Sequence, residues 1–193
     1  MKLIKDTSQA RYRWLIRPLN GGEYQHWLTD NGSLTARLQK KYQVFSVQPL
    51  TVQYAKPIQD EATFLHLHIG KVALVREVLL FGNGHAVVFA HSVLPRASLR
   101  GLWHGLGKLG TRPLGATLFA NPKVKRTPLS YKKLSSNHPL YRQASKHLSN
   151  KPPYLWARRS IFSLSCANIM VTEVFLPHII NTAYDITADH KED

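Results

Sequence analysis

Arg76 and Glu77 stand side by side in the run VALVREVLLFGNGHAVVFAHSVLP (72–95), which is otherwise almost wholly apolar. Side chains alternate across a strand. Arg76 therefore shares a face with Val72, Leu74, Val78 and Leu80, and Glu77 shares the other with Ala73, Val75, Leu79 and Phe81. Both faces are apolar, so at least one of the two charges sits against a core. Glu173 raises the same question in NIMVTEVFLP (168–177), where it shares a face with Ile169, Val171 and Phe175. A buried charge without a partner costs several kcal/mol. Arg76 and Glu173 are therefore paired, bound to a ligand, or nearer solvent than the pattern suggests. A structural salt bridge and a ligand site satisfy the pattern equally. Arginine adds one implication, because its planar fork matches a carboxylate in a bidentate pair. An apolar pocket floored by Arg76 would suit a flat organic acid.

Other residues with chemical capacity are less constrained. His66 and His68 in HLH place two imidazoles on one strand face, as a metal pair would. No nearby Asp, Glu or Cys completes a set, so they read as exposed histidines, and no metal is expected. Cys166 has no base beside it and reads as a small core residue. Arg158 and Arg159 in ARRS either contact an anion or form the solvated side of a strand. GNG (82–84) is a hairpin turn and not a phosphate cradle. Trp14, Trp27, Trp103 and Trp156 are scattered and read as core.

The elements that must position these groups follow from pattern. Residues 21–42 form two short helices split at DNGS, where Asp30, Asn31 and Ser33 are good caps. Residues 44–56 form a strand, and Pro49 within it marks an edge or a bulge. Residues 72–81 and 85–94 form a hairpin across GNGH. RASLRGLWHGLGKLG (96–110) reads as a glycine-weakened helix. TRPLGATLFA (111–120) opens a short helix, with Thr111 near the cap and Pro113 in the first turn. KVKRTPLSYKKL (123–134) reads as a strand with an exposed basic face, and 135–153 as a polar surface excursion. Residues 155–167 and 168–177 form an antiparallel pair. The whole is an α+β fold in one domain over 1–193, with an antiparallel sheet and with 1–20 and 178–193 peripheral.

Composition bounds the rest. The chain has 193 residues, 44% of them hydrophobic, which is enough for a core. One cysteine excludes an internal disulfide and a Cys-rich zinc module. No apolar run is long enough to span a membrane, and the N-terminal stretch makes a poor signal peptide, so a cytoplasmic protein is expected. A charge of +15, from 26 Lys+Arg against 11 Asp+Glu, favours polyanions, anionic membrane surfaces or anionic metabolites.

Several blocks taken in order carry a family resemblance. VREVLLFGNGHAVVFAHSVLP, LGKLGTRPLGATLF and LWARRSIFSLSCANIMVTEVFLP resemble chorismate pyruvate-lyase (chorismate lyase), and WLTDNGSLTARLQKKYQVFSV resembles its N-terminal helical block. The resemblance spans roughly residues 20–177, and KLGxxPLGxxLF together with TExFLP is its most specific part. It implies one α+β domain whose helical flaps close over a buried site. It also implies elimination of pyruvate from chorismate to leave 4-hydroxybenzoate for ubiquinone synthesis, without a cofactor. The family's carboxylate-binding arginine falls on Arg76, its ring-hydroxyl glutamate on Glu173, and its main-chain ligand contacts on Leu34 and Leu114. Leu34 replaces an expected Met, and His91 stands where Arg is common. Arg158 or Arg159 is a candidate for the substrate's second carboxylate. A monomer that binds no nucleic acid is expected. The alternative is a non-catalytic effector-binding domain of the same fold. A third reading, RNA binding, rests on charge alone.

Overall fold

Pro49 has no N–H to give to a ladder, and β1 (Phe45–Ala55), which contains it, lies at the edge of the sheet with its register shifted between Pro49 and Thr51. The computed structural model describes residues 13–68 and 70–180. Before β1 come α1 (Gln25–Leu28) and α2 (Leu34–Lys41), separated at the expected turn. Ser33 caps α2 by accepting the Ala36 N–H.

β2 (Ala73–Gly82) and β3 (His85–Pro95) form the hairpin. Its turn residues Asn83 and Gly84 have φ of 48° and 81°, the left-handed values that a two-residue hairpin requires. β4 (Lys125–Arg126), β5 (Ser130–Ser135), β6 (Tyr154–Leu164) and β7 (Ala167–Phe175) complete the sheet. All pairings are antiparallel, in the order β1-β2-β3-β7-β6-β4, with β5 also paired to β6. The fold is α+β, as the pattern implies.

Both faces of the sheet are covered. On one, Trp27, Leu28, Leu34 and Leu38 from α1 and α2 pack on Val78, Leu80, Trp156 and Phe175. Beside them Trp103, Leu106, Leu109, Leu114 and Leu118 pack on Leu74, Leu94, Phe162 and Ile169. On the other face lie α3 (Gln59–Phe64) and α6 (Pro139–Ala144). α3 starts where the Glu61 carboxylate accepts the Ile58 N–H, and it buries Glu61.

Several expectations are corrected. Residues 96–110 form only α4 (Arg96–Arg100), followed by turns and one 3-10 turn. Gly105 takes a φ of 93° there, which no continuous helix accepts. α5 spans Leu114–Ala120 with Pro113 as its cap residue, outside the first turn, and no side chain caps it. The basic strand over 123–134 is interrupted between β4 and β5, and Tyr131, Lys132 and Leu134 are buried. The segment 135–153 is not wholly a surface excursion, since Leu140, Tyr141 and Ala144 of α6 pack into the core. ARRS is no solvated strand face, because Arg158 and Arg159 are both buried. His66 and His68 are exposed, as read, but lie in a turn after α3 and not on a strand. Cys166 is exposed at the β6–β7 turn and is not a core residue. Trp27, Trp103 and Trp156 are core. Of the two terminal segments, 1–12 and 181–193 lie outside the described residues, Leu15 bridges to Tyr131, and Ile179 is buried.

Candidate active site

Cross-strand partners share a face, so register decides which charges meet. Arg76 is opposite Ser92, Ser92 opposite Val171, and Val171 opposite Ser160. The neighbouring row on the same face runs Val78, Ala90, Glu173 and Arg158. Arg76 and Glu173 therefore point to the same side of the sheet. There they line one cavity of about 40 Å³ under the first turns of α2 and α5, together with Leu34, Leu114, Arg126 and Ser160. The cavity walls are otherwise mostly apolar.

Arg76 is 3% exposed, which makes its environment the main electrostatic question. Its Nη2 donates to the carbonyls of Gly110 (3.0 Å) and Arg112 (3.1 Å), in the segment leading to α5. Its Nε has no hydrogen-bond partner. None of the ion pairs among the described residues includes it. Burial lowers its pKa from the ordinary arginine value. The guanidinium is thus held in place by two carbonyls and forms no ion pair among the described residues.

Glu173 has the opposite arrangement. Its Oε2 accepts from Nε of Arg158 at 2.5 Å. Arg158 is fully buried and donates Nη1 to the carbonyls of Trp27 (2.7 Å) and Asp30 (2.6 Å). One carboxylate oxygen is thereby fixed, and the other remains for a partner in the cavity. Arg126 donates Nε to Ser160 Oγ (2.8 Å) and Nη1 to the Asn31 carbonyl (2.9 Å), and its guanidinium lies over Phe119 and Phe162. Burial is the main cause that lowers its pKa, with Glu173 acting in the other direction.

The turn at Asp30–Ser33 is therefore clamped by three arginines. Arg37 pairs with the Asp30 carboxylate at 2.9 Å, Arg158 holds the Asp30 carbonyl, and Arg126 holds the Asn31 carbonyl. This ties the start of α2, and with it Leu34, to the strand residues beneath the cavity. Leu34 and Leu114 are each the first residue of a helix, where the N–H has no partner within its own helix. Gly115 allows the two helices to approach, since a Cβ there would lie 3.1 Å from Thr35 Oγ1.

The other candidates are elsewhere. Arg159 lies on the opposite face of the sheet, paired with Asp60 at 2.7 Å and stacked over Trp14. Arg158 shares the cavity face but is committed to Glu173 and to carbonyls. Neither lines the cavity, whereas Arg126 does. The pattern does not single out Arg126, because its block reads as an exposed basic strand; the Lys125–Arg126 pair is its one signal. His91, Glu61 and Glu77 form a buried cluster on the far face, with His91 Nε2 3.2 Å from Glu61 and Nδ1 3.1 Å from Glu77. Among the described residues no cluster of His, Cys, Asp and Glu could hold a metal ion. No helix among them is long and apolar enough to cross a membrane.

The sequence profile of the family "Chorismate lyase" matches residues 20–184. A "Probable chorismate pyruvate-lyase" of Methylobacillus flagellatus is 46% identical over 170 residues, which cover 88% of this chain and 96% of the relative. A protein of the same name from Nitrosomonas europaea is 47% identical over 167 residues, covering 86% and 94%. Among solved structures, the effector domain of PhnF from Mycobacterium smegmatis superposes with a TM-score of 0.54 at 14% identity, covering 84% of this chain and 93% of that one. That likeness concerns the fold alone.

Proposed function

The chain belongs to the chorismate lyase family, and from that premise we infer that it is a carbon–oxygen lyase which eliminates pyruvate from chorismate in the cavity between Arg76 and Glu173. The observation that carries the site is the buried guanidinium of Arg76, which pairs with no carboxylate among the described residues and lines a mostly apolar cavity. A charge in such a place is stabilised by an anion that completes its fork.

The substrate's ring carboxylate is placed on Arg76. Its ring hydroxyl is placed on the Glu173 oxygen that Arg158 leaves free, and its second carboxylate on Arg126 at the edge of the cavity. The N–H groups of Leu34 and Leu114 supply main-chain contacts from the two covering helices. Elimination breaks the ether C–O bond and removes hydrogen from the hydroxyl-bearing ring carbon. The electron pair of that C–H bond closes the aromatic ring. The hydrogen goes to Glu173, or directly to the enolpyruvyl methylene, which becomes the methyl of pyruvate. The reaction is redox-neutral and its drive comes from aromatisation, so the protein's task is positioning and charge stabilisation. The cavity holds roughly two or three waters' worth of space.

The reading extends to 4-hydroxybenzoate as the ring product, to ubiquinone synthesis as its use and to the cytoplasm as its place. It is tested by mixing the purified protein with chorismate and following 4-hydroxybenzoate and pyruvate together. Both should form in equal amounts, and a chelator should leave the rate unchanged. Binding of 4-hydroxybenzoate without turnover would favour the effector-domain alternative.

A further inference from the structure

The segment that covers the cavity has an outer surface of unusual composition. Trp103, Leu106, Leu109, Leu114 and Leu118 are buried beneath it. Arg96, Arg100, Lys108, Arg112, Lys123 and Lys125 are exposed. In the same stretch Leu102 is 56% exposed; Phe119 is 41% exposed but also lines the cavity and lies beneath Arg126. No acidic residue stands near them in the sequence, since residues 78–172 contain fourteen Lys or Arg and no Asp or Glu. The carboxylates elsewhere are already engaged. Of those among the described residues, Asp30, Asp60, Glu61, Glu77 and Glu173 all lie in ion pairs, leaving only Glu23. A small dianion needs a few cationic contacts at most, so the outer positive charge is not accounted for by the reaction.

We propose that the outer face of residues 96–125 docks on an anionic lipid bilayer. Leu102 enters the headgroup layer, and the exposed Lys and Arg side chains of the segment meet lipid phosphates. An exposed apolar residue in a segment whose exposed charges are all cationic is the composition that an anionic membrane surface selects. A nucleic acid would use the cations and could stack on Phe119, but it offers nothing to Leu102. The docked segment is also the one whose Gly110 and Arg112 carbonyls hold Arg76, so the docked face adjoins the site.

The test is flotation of the full chain with vesicles of phosphatidylglycerol and phosphatidylcholine, against phosphatidylcholine alone. Binding is expected only with the anionic lipid and should fall as salt rises. Each cation removed should weaken it by roughly fivefold. Arg100→Glu with Lys108→Glu should therefore abolish flotation. Arg142→Glu with Lys146→Glu, an equal charge change at exposed positions on and just after α6, should leave most of it. Leu102→Asp should weaken binding further at constant salt, and circular dichroism with the lyase rate in lipid-free buffer reports whether each variant is folded. Equal loss in both charge-reversed proteins, or no dependence on anionic lipid, would overturn the proposal. So would tight binding of an RNA homopolymer that competes with vesicles and ignores Leu102→Asp.

Discussion

Arg76 and Glu173 are both charges under an apolar roof, but their neighbours set them different tasks. Arg76 is oriented by two carbonyls and left without a counter-charge, so replacing its planar fork should be felt directly in ligand affinity. Lysine keeps the charge but is a point donor on a flexible stem. Arg76→Lys should weaken 4-hydroxybenzoate binding by about 2 kcal/mol or more, roughly 30-fold, as measured by equilibrium titration of folded protein. Near-normal affinity would make Arg76 a structural residue. Glu173 already uses one oxygen on Arg158, which favours an orienting role over that of a base. Glutamine can still accept a hydroxyl hydrogen bond, so Glu173→Gln should keep much of its single-turnover rate. A loss in the roughly 10²–10⁴-fold range would instead identify a general base. Steady-state rates are the weaker measure, since product release can limit them.

At the scale of elements, the site is made by two helix starts meeting over a sheet. Gly115 is a point of close approach between them, because a Cβ at that position would lie 3.1 Å from Thr35 Oγ1 and 3.8 Å from Ser33 Oγ. Gly115→Ala should push α5 away from α2 at a cost of roughly 1–3 kcal/mol, expressed as weaker product binding and a lower Tm. Thr35→Ala in the same chain removes the contacting oxygen and should restore part of both. If the double variant were no better than Gly115→Ala alone, the close approach would not be what matters.

For the molecule as a whole, the sheet separates two sets of charges. The cavity face carries Arg76, Glu173 and Arg158, and the far face carries Glu77, His91 and Arg159, with Asp60 and Glu61 above them on α3. Burial would lower the pKa of His91, but Glu61 and then Glu77 outweigh it and raise it to about 9. The unfolded value is near 6.5, so the folded state binds this proton more tightly. The stabilisation is complete below about pH 6.5 and is lost as pH rises through 9. It is worth on the order of 3 kcal/mol. Urea midpoints measured from pH 6 to pH 9.5 should fall across that window. His91→Gln should be less stable at pH 6 and should flatten the slope; an unchanged slope would place the titrating group elsewhere.

Local pattern was sufficient for whatever depends on neighbours in the chain. Pro49 marks an edge or a bulge because it lacks an N–H, GNG marks the hairpin because its residues accept positive φ, and period-two alternation puts Arg76 and Glu173 on apolar faces. Leu34 and Leu114 came from the family resemblance, since nothing in their own side chains distinguishes them from core leucines. What pattern could not supply was register between distant strands. Alternation says that neighbouring residues face opposite ways, but not which face of one strand coincides with which face of another. Only the pairing of Arg158 with Glu173 across β6 and β7 made that arginine a partner of the site glutamate and turned Arg159 to the other side. Arg126 entered the cavity edge for the same reason: β4 pairs with the end of β6, and that pairing joins residues far apart in the chain.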